Sequence, residues 1–276
     1  FTLSFWKNDE NWYIKYIEDE LFDELVNEFK KKTKKDCYKI DLIDETPNVL
    51  DNKIGGNPYI PIEEEYPLDR NGKPMILLLQ VNLKDIKIEG YPNDGIFEIF
   101  ISQDYDYPSY EYKIKYFKDN LKYKTDFPNI SKDNAIPYIK GEYKIKLDRT
   151  IDYMSSNDFR FSDLFNEIIN NVYGINTNEY EIGFNMYNHN YWNKFMDSIY
   201  SNVSKITIGG YADFTQEDPR GYEDIAEKTE CIFKLDSLYN TDKIFIGDVG
   251  IFFALASKKD IHDKQFDKVY VNFDCC

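Results

Sequence analysis

A chain of 276 residues, 42% hydrophobic and 17% aromatic, is long enough to bury a real core and too apolar to remain disordered. Its 50 acidic and 34 basic residues leave a net charge of -16, a field that repels phosphate backbones and anionic membrane surfaces. Nucleic acid and membrane are therefore not expected as partners, whereas a basic protein or a cation is; the same charge also serves solubility alone.

Residues 8–35 carry Trp12, Tyr16, Ile17, Leu21, Leu25 and Phe29 at spacings of three and four, which predicts one amphipathic helix. Acidic residues crowd its early turns, and Lys30, Lys31, Lys32, Lys34 and Lys35 crowd its end, in keeping with the helix dipole. That lysine run reads either as a nucleic-acid patch or, in an acidic protein, as a solvated terminus. From Asp51 the signals become strand and turn. Ile54-Gly55-Gly56-Asn57-Pro58 breaks the backbone, and Asn71-Gly72 is a hairpin signal. Residues 75–83 and 96–102 are nearly all apolar, as strands buried on both faces are. Residues 110–117 and 142–148 alternate apolar with charged side chains, which predicts half-exposed strands whose lysines guard a sheet edge. Helices are expected over 162–173, between a Ser162 N-cap and a Gly174 stop, and over 191–202. The second carries Trp192, Phe195, Met196 and Ile199 on one face, a packing stripe.

Gly209 and Gly210 follow Gly55 and Gly56 at an interval of 154 residues. The same interval lays Leu77-Leu78-Leu79-Gln80-Val81-Asn82 over Cys231-Ile232-Phe233-Lys234-Leu235-Asp236. One further residue lays Gly95-Ile96-Phe97 over Gly250-Ile251-Phe252. Such spacing predicts two copies of one unit, too few for a solenoid. Each copy is a Gly-Gly turn, a variable loop, a buried strand ending on Asn or Asp, a Gly turn and a second buried strand. The expected fold is a single α+β domain over 1–276, internally duplicated, with mainly antiparallel sheets. Its repeats lie at about 51–150 and 203–276, with an N-terminal helix at about 8–35 and a helical connection at about 156–202.

The segments Lys53-Ile54-Gly55-Gly56-x-Pro58, Tyr66-Pro67, Gly72-x-Pro74 and Leu77 to Leu83 resemble the first half of the YwqG-like family. Ile208-Gly209-Gly210-Tyr211, Gln216-Glu217-Asp218-Pro219-Arg220, Gly247-Asp248-x-Gly250 and Asp274-Cys275-Cys276 resemble its second half. Lys234 departs from the strand Gln of the family pattern, and Phe273 from its closing Trp. The resemblance implies a soluble bacterial α+β protein of a family classed as a domain of unknown function. It also implies a toxin-immunity or accessory role, and an acidic inhibitor of a basic toxin would suit the charge.

The search for chemistry yields little. His189 and His262, the two histidines, have no Cys or carboxylate at metal-ligand spacing. No G-x-S-x-G elbow occurs, and neither Gly-Gly turn extends to a phosphate-binding pattern. Positive φ or close backbone approach explains those glycines. Glu63-Glu64-Glu65 reads as a solvated loop, and Asp248 as a turn residue bonding its own backbone or as an acid between apolar strands. Cys275-Cys276 could form a vicinal disulfide, supply thiolates to a metal, or end a tucked strand begun by Tyr270-Val271-Asn272-Phe273-Asp274. Candidate binding positions are Gly55, Gly56, Gln80, Asn82, Gly209, Gly210, Asp236, Asp248 and Asp274, with no catalytic residue, metal or cofactor assigned. No apolar run spans a membrane, and Phe1 to Trp12 lacks the pattern of a signal peptide, so a trimmed cytoplasmic chain is expected. Scattered cysteines agree with that compartment. The leading expectation is a non-catalytic module binding a basic protein; the alternative is an enzyme or small-molecule binder with a cleft between the copies.

Overall fold

In the computed structural model, residues 3–8, 11–104, 111–130, 135–174, 189–200, 204–238 and 240–275 are described. The chain divides into two compact units, Phe1–Lys35 with Ile151–Val203, and Asp36–Thr150 with Ser204–Cys276.

The first unit opens on an antiparallel hairpin, β1 (Leu3–Asn8) and β2 (Asn11–Ile17), followed by α1 (Asp19–Thr33). The helix expected over 8–35 is thus confined to the later residues. Trp12, Tyr13, Ile14, Tyr16 and Ile17 are aromatic or β-branched, types that favour a pleated strand over a helix. Within α1 the apolar stripe holds, with Phe22, Leu25, Val26 and Phe29 buried. The unit also contains α2 (Phe161–Tyr173) and α3 (His189–Tyr200). Fully buried Phe29 meets Phe161 at 5.4 Å, Phe195 at 5.1 Å and Phe165 at 6.4 Å between ring centroids. Gly174 closes α2 in the left-handed conformation, as its position predicts. Ser162 is not the N-cap: the helix begins one residue before it, and the Asp158 carboxylate accepts the Arg160 N–H ahead of that start. The stripe of α3 places Phe195 and Ile199 in the interior, while 201 and 202 lie outside the described residues.

The second unit is organised by a ten-stranded sheet. Its strands are β3 (Lys35–Ile43), β4 (Lys53–Ile54), β5 (Ile76–Asn82), β6 (Ile96–Ile101), β7 (Tyr112–Phe117) and β9 (Tyr143–Asp152), then β10 (Ile206–Gly209), β11 (Glu230–Asp236), β13 (Ile251–Ala256) and β14 (Tyr270–Asp274). A short separate pair joins β8 (Tyr138–Ile139) to β12 (Ile244–Phe245). The sheet order is β14-β13-β11-β10-β3-β9-β4-β5-β6-β7. Outward from the central β3 and β9, each flank therefore begins on a strand that leads into a Gly-Gly turn and continues through three antiparallel neighbours.

The flanks also share register. Lys53 and Ile54 face Gln80 and Leu79, and Thr207 and Ile208 face Lys234 and Phe233. The β5–β6 ladder skips Leu78, and the β11–β13 ladder skips Ile232. Each second-flank residue lies 154 positions after its counterpart. All of β5, β6 and β13 is buried, because both faces of these strands are covered. One face joins the shared core with Ile54, Leu79, Val81, Ile208, Phe233 and Leu235. On the other face, Tyr59 and Ile60 cover Leu77 and Phe100 in the first flank, and Ala212 and Phe214 cover Cys231 and Phe253 in the second.

Two expectations change here. Residues 143–148 belong to β9, which lies between β3 and β4, so their lysines guard no edge, whereas β7 is an edge strand. Between 36 and 50 the sequence suggests no element, yet β3 runs there with Tyr38 and Ile40 turned into the core. Near the edges, Phe266 in the turn before β14 packs on Phe97 at 5.0 Å and Tyr116 of β7 at 5.4 Å. The start of α4 (Lys258–His262) is capped by Ser257, whose hydroxyl accepts the Asp260 N–H. Among the described residues, no helix is long and apolar enough to cross a membrane.

Candidate functional site

The Gly-Gly turns are held by the backbone that surrounds them. Gly55 and Gly56 have φ of +73° and +78°, and Gly209 and Gly210 of +76° and +75°, the left-handed region that glycine enters without steric cost. A Cβ on Gly55 would lie 2.8 Å from the Gly141 carbonyl oxygen. One on Gly209 would meet the Ile88 methyl and lie 3.0 Å from the Asp36 carbonyl oxygen. Ile88 belongs to the connection from β5 to β6, so the first flank covers the turn of the second. Gly55 is covered by residues 139–142 of the connection from β7 to β9, and Ile139 there pairs with Ile244 in the connection from β11 to β13.

Beneath the covering segment of the first flank lies a buried polar row. Lys53, Gln80 and Glu98 sit opposite one another on β4, β5 and β6, and all three are buried. The Tyr59 N–H donates to Gln80 Oε1 at 2.7 Å and to Glu98 Oε1 at 2.8 Å. Gln80 Nε2 donates to the carbonyls of Val49 and Asp51, and Lys53 Nζ to those of Asn48 and Val49. Burial pushes the Lys53 ammonium down to about 8, against the pull of the nearby Glu98 carboxylate. Burial likewise raises the Glu98 carboxyl well above its ordinary range, and its Oε2 has no partner among the described residues. Gln80 is therefore spent on holding the 48–59 segment to the sheet. Glu98 stands alone among apolar neighbours in Ile96-Phe97-Glu98-Ile99-Phe100, a signal in the sequence that points to it.

The other candidate positions act locally. Asn82 caps the turn after β5 by accepting the Lys84 N–H, and Asp236 pairs with Lys205 at 2.9 Å. Asp248 is exposed in the turn between β12 and β13. Asp274 Oδ2 accepts the N–H groups of Thr215 and Gln216 at 2.9 and 3.1 Å, and burial raises its carboxyl. The fold brings Asp248 and Asp274 to one end of β13 and β14, where a Cβ on Gly247 would touch the Cys275 sulfur at 3.0 Å. It leaves Gln80 in the other flank, enclosed, so the three do not line a common cleft. Cys275 carries a free thiol, and Cys276 lies outside the described residues. Between the flanks, a void of about 10 Å³ is lined by Leu79, Val81, Phe97, Ile208, Ile232 and other apolar side chains, room for about one water-sized sphere. Among the described residues, no group of three or more His, Cys, Asp or Glu side chains is placed to hold a metal ion.

The Gln216-to-Arg220 motif builds a rigid corner. Arg220 and Asp218 are both buried and pair side to side, Nη2 to Oδ2 at 2.6 Å and Nε to Oδ1 at 2.9 Å and to Oδ2 at 3.1 Å. Asp218 also accepts the Arg220 N–H, and the Arg220 guanidinium lies 5.6 Å from the Phe214 ring centre. Two residues on stands Tyr222, 65% of whose surface is open. Its hydroxyl is raised first by partial burial and then by the carboxylates of Glu223, Glu217, Asp218 and Asp274 around it. With Asp218 matched by Arg220, the negative charge about Tyr222 comes from Glu217, Glu223 and Asp274. The local sequence supplies Glu217 and Glu223 beside Tyr222, and only Asp274 is brought in from a distant segment.

Fold and turns together define an α+β protein with a mainly antiparallel ten-stranded sheet and glycine turns at matching places in its two flanks. The chain belongs to the family described as Domain of unknown function (DUF1963), whose model matches residues 52–275. β1, β2, α1 and β3 precede the start of that match. No curated protein matches the sequence.

Proposed function

We propose that the chain is a non-catalytic protein-binding module with a basic partner, and that Tyr222 is the centre of its contact surface. The observation that carries this reading is an exposed tyrosine ringed by Glu217, Glu223 and Asp274 and fixed in place by the buried Asp218–Arg220 pair. Tyrosines of this kind are common energetic centres of interfaces, and a rigid mount lowers the ordering cost of binding. A net charge of -16 supports the sign of the partner. Toxin immunity in a bacterial, cytoplasmic, YwqG-like protein is the particular role that the sequence resemblance adds to this reading. Equal strand order, equal register and an interval of 154 residues that grows by one at the second buried strand support an origin of the two flanks by duplication.

The test is affinity capture from the native cell at low salt with the wild-type chain, Tyr222→Ala and Glu217→Lys/Glu223→Lys. A basic protein held by the wild type, and weakened tenfold or more (roughly) by either variant, is the expected result. Equal capture by all three, or no basic partner at all, would overturn the proposal.

A further inference from the structure

The polar row of the first flank has a counterpart in the second, with different chemistry. The residues opposite one another there are Lys39, Thr207, Lys234 and Phe253, on β3, β10, β11 and β13. Cross-strand partners point to the same face, so these four side chains lie side by side. Where the first flank has Lys53, Gln80 and Glu98, the second has Thr207, Lys234 and Phe253. The cation has moved one strand outward, and the carboxylate has become a phenyl ring.

Lys234 is consequently left uncompensated. Only 4% of its surface is exposed, and its ammonium has no hydrogen bond or ion pair among the described residues. Thr207 is 2% exposed, and its hydroxyl is buried without a partner. The nearby carboxylates are taken: Asp41 pairs with Lys39 at 3.1 Å, and Asp236 with Lys205 at 2.9 Å. A cation beside an unpartnered buried hydroxyl, with no carboxylate facing it on the neighbouring strands, is placed to take up an ion of opposite sign. The exposed Lys39 adds a second cation at the solvent end of the row.

We infer that Lys234 and Thr207, with Lys39 at the rim, form a binding site for a small oxyanion, the phosphate or carboxylate group of a ligand. Lysine binds such groups as a point charge, and the threonine hydroxyl donates the directional bond. The site is separate from the Tyr222 surface and does not depend on it.

Thermal melting of the full chain at constant ionic strength tests this, with inorganic phosphate and acetate titrated against chloride in separate arms. The wild type is expected to gain stability saturably with at least one anion, as a ligand that binds only the folded state requires. A response to phosphate alone assigns phosphate ligands; a response to acetate as well extends the site to carboxylates. Lys234→Met is expected to fold normally and to lose the response, because the cation that holds the anion is gone. Thr207→Val is expected to fold normally and to bind about fivefold more weakly, the loss of roughly one hydrogen bond. Three results would overturn the inference: no saturable response in either arm, a Lys234→Met response equal to wild type, or Thr207→Val binding unchanged.

Discussion

Lys53 and Glu98 are the charged side chains that the first flank takes wholly into its interior, and their burial has a price in pH dependence. The Lys53 ammonium sits at about 8 in the folded chain against an ordinary 10.5. Between those values the unfolded chain holds a proton that the folded chain has released, so stability rises with pH across that window. It is fully present above 10.5 and lost as pH falls through 8. Relative to Lys53→Met, wild-type stability is expected to climb by about 3 kcal/mol between pH 8 and 10.5. Denaturant unfolding of both proteins at several pH values checks this, and a flat difference would show that Lys53 is solvated. The Asp218–Arg220 pair carries a second consequence. Arg220→Ala leaves a buried carboxylate without its partner and is expected to cost about 3–5 kcal/mol by the same measurement. The motif of the resemblance contains both residues, but a contact list alone reveals that they bond each other.

The Gly-Gly turns show how an element can be legible while its environment is not. Paired glycines between extended segments announce a positive-φ turn locally, and all four residues have it. What presses on them comes from far along the chain. Gly209→Ala is expected to destabilise by about 1–3 kcal/mol from the left-handed backbone together with the clash against Ile88. Adding Ile88→Ala should recover part of that loss, because a side chain can be trimmed, while the Asp36 carbonyl cannot. Non-additivity in the double-mutant cycle is the readout, and strict additivity would place Ile88 out of reach. The N-terminal hairpin shows the opposite case. Its aromatic and β-branched residues fit the helical spacing too, so periodicity alone could not separate strand from helix. β3 was missed for a related reason: Tyr38 and Ile40 are a weak alternation until the neighbouring strands bury them.

The first flank covers the glycine turn of the second, and both share one apolar core, so the two halves of the sheet are expected to unfold together. Hydrogen exchange should give equal global opening free energies for the amides of β5 and β11, and a clear inequality would mean that one flank opens alone. The sequence by itself determined the glycine turns, the paired apolar strands and the 154-residue interval, because turn chemistry and side-chain alternation act over a few residues. Tertiary structure alone decided the sheet order, the placing of β9 at its centre, the enclosed row of Lys53, Gln80 and Glu98, and the approach of Asp274 to Tyr222. These depend on which distant strands become neighbours, and burial there shifts the charge of a side chain in ways its sequence neighbours cannot convey.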